Sequence, residues 1–99
     1  MPQNRKNNIQ NLYKTILSLE TKEELSLFLE DLCTPVELES LADRWTSVLE
    51  LKNDKPYRKI HEDTGVSITT VGRVARSLSY GAGGYELAYQ KVQGSQNER

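Results

Sequence analysis

The chain has one cysteine, one histidine, one phenylalanine and one tryptophan in 99 residues. A lone Cys33 makes no disulfide within the chain, and Cys33 with a lone His61 builds no His/Cys metal cluster. No apolar run approaches the roughly 20 residues that span a membrane. No segment sustains the period-two alternation of a half-buried strand, so no sheet is expected. The glycine cluster GAGG, residues 81–84, has neither a strand before it nor a Gly-Lys-Ser/Thr after it, so it forms no phosphate-cradling loop. Cys33 falls on the apolar edge of a helix and reads as a small core residue. Without a nucleophile and base that could meet, the chain is not read as an enzyme, and no metal or cofactor is called for. The opening MPQNRKNNIQ is polar almost throughout and unlike a signal peptide, so the expectation is a cytoplasmic protein with no membrane partner.

The content is that of a small all-helical protein. With 36% hydrophobic and 27% charged residues, the chain is expected to be a single domain spanning 1–99, too short for two independent cores. A domain of this size is marginal alone, which favours a partner subunit. The net charge of -1 hides an asymmetry. Residues 19–51 carry nine acids against Lys22 and Arg44, whereas residues 55–76 carry five bases against Glu62 and Asp63. One face is therefore suited to an anion and another is not.

Ile9, Leu12, Tyr13, Ile16 and Leu17 form one apolar stripe and predict a helix over about 5–18. Thr21 with Glu24 is a capping-box pair that starts a second helix, ending near Cys33 and carrying Leu25, Phe28, Leu29 and Leu32 inward. Leu27 lies off that stripe, so the helix is apolar on more than one face. Thr34, Pro35 and Glu37 have the chemistry of a helix start. The third helix carries Leu38, Leu41, Ala42, Trp45, Val48 and Leu49 and runs to about Leu51. KNDKP then breaks the chain. A final helix over 84–93 presents Tyr85, Ala88, Tyr89 and Val92 on one side, and 94–99 reads as a flexible tail.

The stretch HEDTGVSITTVGRVARS, residues 61–77, carries most of the functional signal. Two helices meeting steeply need a residue in the left-handed conformation at their turn, and Gly65 supplies it without steric cost. Ile60, Val66, Val71 and Val74 are spaced to hold those helices together, with Ser67 as the cap of the second. The predicted helix-turn-helix spans 56–78. Its outward residues include Tyr57, Arg58, His61, Ile68, Thr69, Thr70, Arg73 and Arg76, with Lys55 and Lys59 beside them. Guanidinium groups, hydroxyls and threonine methyls are what a major groove and its phosphates accept.

From LCTPVELESLADRW through YRKIHEDTGVSITTVGRVARSL, the chain resembles the Trp repressor superfamily, and YGAGGYELAYQ is similar to its YerC/YecD branch of Trp-repressor-related proteins. The resemblance covers roughly residues 30–90. It implies an all-α fold and an intertwined homodimer in which residues 5–51 interlock, leaving one helix-turn-helix on each side. It also implies an effector site: Thr34, Arg44, Arg73 and Ser77 match the residues that surround the amino acid corepressor in the family. Val74 stands where the repressors proper have glycine, beside the indole, and a β-branched side chain there narrows the slot. The expected ligand is therefore an amino-acid-like or other small carboxylate whose identity the sequence leaves open.

The reading is a sequence-specific double-stranded DNA-binding transcriptional regulator, a repressor, modulated by that effector. Arg58, Thr69 and Thr70 are expected at base edges, and Lys55, Lys59 and Arg76 at phosphates. Two other classes fit the same residues: a protein-interaction module using the acidic helices, and a small-molecule sensor without DNA binding.

Overall fold

The computed structural model of the chain describes the backbone of residues 2–97 and the side chains of 4–94. Six helices occupy it: α1 (Pro2–Ser18), α2 (Lys22–Leu32), α3 (Pro35–Lys52), α4 (Tyr57–Thr64), α5 (Ile68–Tyr80) and α6 (Gly84–Asn97). Among the described residues there is no strand.

Local chemistry sets most of the boundaries. Thr21 Oγ1 accepts from the Glu24 N–H at 3.0 Å, while Glu24 Oε1 accepts from the N–H of Glu20 at 2.9 Å. Thr34 and Glu37 form a reciprocal capping box, with bonds of 3.1 and 2.8 Å. Ser67 Oγ accepts from the Thr70 N–H at 3.0 Å and starts α5. Each side chain satisfies a donor that the helix start leaves without a partner.

Three helices outrun the sequence reading. α1 starts at Pro2 instead of about 5. α5 continues to Tyr80 instead of 78, and α6 continues to Asn97 across residues expected to be a tail. Gly94 has no positive φ and sits in α6 as an ordinary helical residue. Its cost there, about 1 kcal/mol relative to alanine, does not end a helix by itself. Glu98 and Arg99, the rest of that expected tail, lie outside the described residues.

Where the composition suggests a single domain, contacts within the chain fall into two compact units, one ending at Leu38 and the other starting at Glu39. In the first, no residue of α2 is buried. Leu25, Phe28 and Leu29 are half-buried as their spacing predicts, but Leu32 is exposed. Leu17 is 84%, Leu27 69% and Val36 75% exposed. This unit has apolar side chains in quantity and, among its described residues, no buried one.

The second unit holds the core: Val48, Ile60, Val66, Val71 and Val74 are buried. Ile60, Val66 and Val71 form one cluster, with Leu51 packed against it. Ser47 is buried as well, and its hydroxyl is satisfied by the Asp43 carbonyl at 2.9 Å. Ahead of α4, Asp54 takes the left-handed φ of 60° in the turn that ends α3. Between α4 and α5, Gly65 has φ 82°, and its N–H donates to the His61 carbonyl at 2.9 Å. Val66 N–H donates to Thr64 Oγ1 at 3.1 Å, and the Thr64 hydroxyl donates to the Ile60 carbonyl at 2.6 Å. The turn therefore has its polar groups paired around the buried Val66.

A methyl group added at Gly65 meets nothing within 4 Å, so the cost of replacing this glycine is conformational. Gly65→Ala is expected to lower the unfolding free energy by about 1–2 kcal/mol, and Gly65→Asn by less, because asparagine enters the left-handed region more readily. Urea unfolding midpoints of the two variants test this ordering.

Candidate functional site

The outward face of α5 and the start of α4 form an open groove lined by Tyr57, Ile68, Thr69, Gly72, Arg73, Ala75, Arg76, Ser79 and Tyr80. The Tyr57 ring lies over Gly72 of α5, where an added Cβ would make an ordinary contact of 3.8 Å with its Cε2. Tyr57 and Ile68 remain nearly half exposed, at 44% and 46%. Five of the ten residues expected at a nucleic acid therefore share one surface: Tyr57, Ile68, Thr69, Arg73 and Arg76. Arg58 and His61 are exposed on α4. The His61 ring is held across the turn by a 2.8 Å contact between Nδ1 and the Val66 carbonyl. Because a carbonyl only accepts, Nδ1 carries the proton and Nε2 is left for other partners.

Thr70 is absent from that groove. It is half-buried, its Oγ1 accepts from the Ser67 hydroxyl at 2.9 Å, and it lines a cavity on the other side of α5. Lys55 and Lys59 are also less free than their sequence neighbourhood suggests. Lys55 Nζ lies 3.1 Å from both Glu50 and Asp63, and Lys59 Nζ lies 3.3 Å from Asp63. Hydrogen bonds to Glu50 and then Asp63 raise the Lys55 ammonium above the ordinary lysine value. Hydrogen bonds from Lys55 and then Lys59 hold the Asp63 carboxyl below the ordinary aspartate value. Lys55 thus braces the corner between α3 and α4.

The cavity, of about 220 Å³, is lined by Ser40 and Arg44 of α3, Thr70, Arg73, Val74 and Ser77 of α5, and Tyr85 of α6. Trp45 orients the Tyr85 ring, with centroids 6.5 Å apart and planes tilted by 41°. α6 is fastened by the Lys52–Glu86 ion pair, and the same ammonium lies 5.1 Å above the Tyr89 ring. That pairing, followed by the Gln90 amide, holds the Glu86 carboxyl below its ordinary value. Tyr85, Ala88 and Tyr89 are half-buried, which identifies the packed side of α6, and Leu87 points away at 60% exposure. Among the described residues, Arg44 and Arg73 take part in no ion pair.

Three of the four residues expected around an effector, Arg44, Arg73 and Ser77, meet in this cavity. Thr34 belongs to the amino-terminal unit, where its hydroxyl caps α3. Sequence reading missed Ser40 and Tyr85. Ser40 was accessible to it, standing one helical turn before Arg44 on the same face. Tyr85 was not, because its position depends on how α6 docks. No group of three or more His, Cys, Asp or Glu side chains suited to a metal occurs among the described residues, and none of their helices is long and apolar enough to cross a membrane.

An all-helical chain with two helices set around a left-handed glycine, and a polar cavity behind the second, defines a helix-turn-helix protein. The Trp repressor protein family model matches residues 7–93, and the chain belongs to that family. It is 40% identical over 90 residues to the protein YerC of Bacillus subtilis (strain 168), covering 91% of this chain and 86% of that one, and it is a YerC-type member. A TrpR-like protein from Eubacterium eligens ATCC 27750 superposes with a TM-score of 0.84 at 37% identity, covering 88% of this chain and 90% of the other. A solved protein of Staphylococcus aureus superposes with a TM-score of 0.84 at 33% identity, covering 88% and 87%.

The α3–α4 brace has a pH signature. Asp63 favours its charged form in the folded state, so its contribution is present above the unfolded-state value and is lost as pH falls through the lower folded one. Thermal stability is expected to decline below about pH 4, near the ordinary aspartate value. Asp63→Asn is expected to lower the melting temperature at neutral pH and to flatten that acid limb. A set of melting curves from pH 2 to 7 on both proteins measures it.

Proposed function

We propose that the chain is a sequence-specific double-stranded DNA-binding transcriptional regulator, a cytoplasmic repressor that works as an intertwined homodimer. The observation that carries this reading is the outward face of α4 and α5: Arg58, Arg73 and Arg76, which enter no ion pair among the described residues, beside the exposed Ile68 and Thr69. In this reading α5 lies in the major groove. Arg58 and Thr69 reach base edges, and Ile68 offers an apolar surface to a thymine methyl. Arg76 and Lys59 meet phosphates, and Lys55 adds positive potential from the corner it braces. Thr70, bonded to Ser67, steadies the first turn of α5 under those contacts.

Support for the homodimer comes from the amino-terminal unit, whose Leu17, Leu27 and Val36 are exposed and whose α2 has no buried residue. Two copies present two recognition helices, so the operator is a palindrome with half-sites roughly 34 Å apart. A small carboxylate-bearing effector held by Arg44 and Arg73 modulates the affinity, since arginine binds carboxylates through paired charge-assisted hydrogen bonds.

The test is selection of a duplex from a random pool, followed by anisotropy titrations over a range of salt. Enrichment of a palindrome is the expected result; no enrichment, with a dimer that binds no duplex even at low salt, refutes the reading. Within it, Thr69→Ala is expected to narrow the gap between selected and random duplexes. Arg76→Ala is expected to weaken both about equally and to lower the salt slope by about one. Leu27→Glu is expected to shift the protein towards monomer in sedimentation.

A further inference from the structure

We propose that His61 reads one base pair of the operator, its Nε2 accepting a hydrogen bond from an exocyclic amine in the major groove, adenine N6 or cytosine N4. The inference deepens the DNA-binding reading above and rests on it.

The turn aims the ring. His61 is exposed on α4, four residues after Tyr57 and so on the same face of that helix, and Tyr57 lines the outer groove. Its Nδ1 lies 2.8 Å from the carbonyl of Val66, the residue before the Ser67 that caps α5. Val66 is packed with Ile60 and Val71, so the carbonyl that holds the ring comes from a core residue. That bond sets the ring beside the first turn of α5, the end of a recognition helix whose residues contact base edges. An imidazole fixed at one nitrogen presents the other in a set direction, without the rotamer entropy that a long lysine or arginine loses on docking. Base readout needs such a direction, whereas phosphate contacts position the protein without reading sequence.

The tautomer decides what Nε2 can meet. With the proton on Nδ1, the neutral ring carries a lone pair at Nε2 and accepts there. Among the described residues no carboxylate pairs with the ring, so none holds a second proton on it. Glu62, the next residue, falls on another side of α4, and Asp63 is taken by Lys55 and Lys59. No acidic residue occurs between Thr64 and Tyr80. Phosphate oxygens, guanine O6 and N7, and thymine O4 only accept, and each would set its lone pair against that of Nε2. Adenine N6 and cytosine N4 are the donors that the major groove presents. His61 thus complements Arg58, exposed three residues earlier on α4, whose N–H groups only donate and suit the bases that His61 rejects.

The experiment uses the full-length protein and the duplex it selects. Each adenine in that duplex is replaced in turn by purine, which lacks N6, and each cytosine by pyrimidin-2-one, which lacks N4. Anisotropy then gives Kd for the wild type and His61→Ala over a range of salt. At the pair read by His61, loss of the amine is expected to raise the wild-type Kd about fivefold, the effect of one hydrogen bond, and to leave that of His61→Ala unchanged. The weaker base pairing it also causes is common to both proteins. Which of the two replacements acts distinguishes adenine from cytosine. The salt slope of His61→Ala is expected to equal that of the wild type, since a neutral ring displaces no counterion. His61→Lys, a donor, is expected to move the preference at that pair to guanine. If His61→Ala is unfolded, His61→Phe keeps the ring's bulk without its nitrogens. A slope lower by about one for the variant, with all duplexes weakened alike, makes the ring a cation on a phosphate and overturns the inference. Amine replacements that act equally on both proteins at every position overturn it too. Either result spares the proposed function, because a duplex is still selected. Selection of no duplex at any salt removes that reading and this one with it.

Discussion

The turn at Gly65 is the constraint on which the outward surface of the carboxy-terminal unit depends. Its positive φ lets the chain double back within three residues, and the reversal drops Val66 into the cluster with Ile60 and Val71. Thr64 and the backbone satisfy the polar groups that such a reversal would otherwise bury unpaired. With the turn set, α5 is pinned by Val71 and Val74 on one side, which leaves Thr69, Arg73 and Arg76 facing outward. The orientation of the polar face is a by-product of where two valines go.

Sequence legibility followed the range of the interactions involved. Helix starts at Thr21, Thr34 and Ser67 were readable because a cap and its donor lie within four residues of one another. Gly65 and the valine cluster were readable for a similar reason, spacing along two adjacent helices. The fates of Lys55 and Lys59 were harder. As part of a basic stretch they look like free cations, yet Asp63 captures both, and Glu50 reaches Lys55 from the end of α3. Thr70 was read as outward because helical spacing alone does not say which side of α5 another element will cover. Tyr85 entered the cavity through the docking of α6, which Lys52 secures from 34 positions away. Gly94 misled in the opposite direction, since a glycine signals a helix end only when the backbone there turns left-handed.

α5 is a helix with two occupations. Thr69 and Arg76 belong to the groove, Thr70 and Ser77 to the cavity, and Arg73 to both. Residues three and four apart stay on one surface, and neighbours such as Thr69 and Thr70 fall on different ones, because the helix turns by 100° per residue. Arg73 is the residue that lines both of them.

The attachment of α6 has a further consequence, in the time domain. None of its described residues is buried, and its fastening is an ion pair together with half-buried aromatic contacts. Segments with little buried surface open first and most often, without disturbing the rest of the molecule. Backbone amides of α6 are thus set to exchange with solvent sooner than those around Ile60 and Val71. Each opening carries Tyr85 away from the cavity while the helix-turn-helix stays folded.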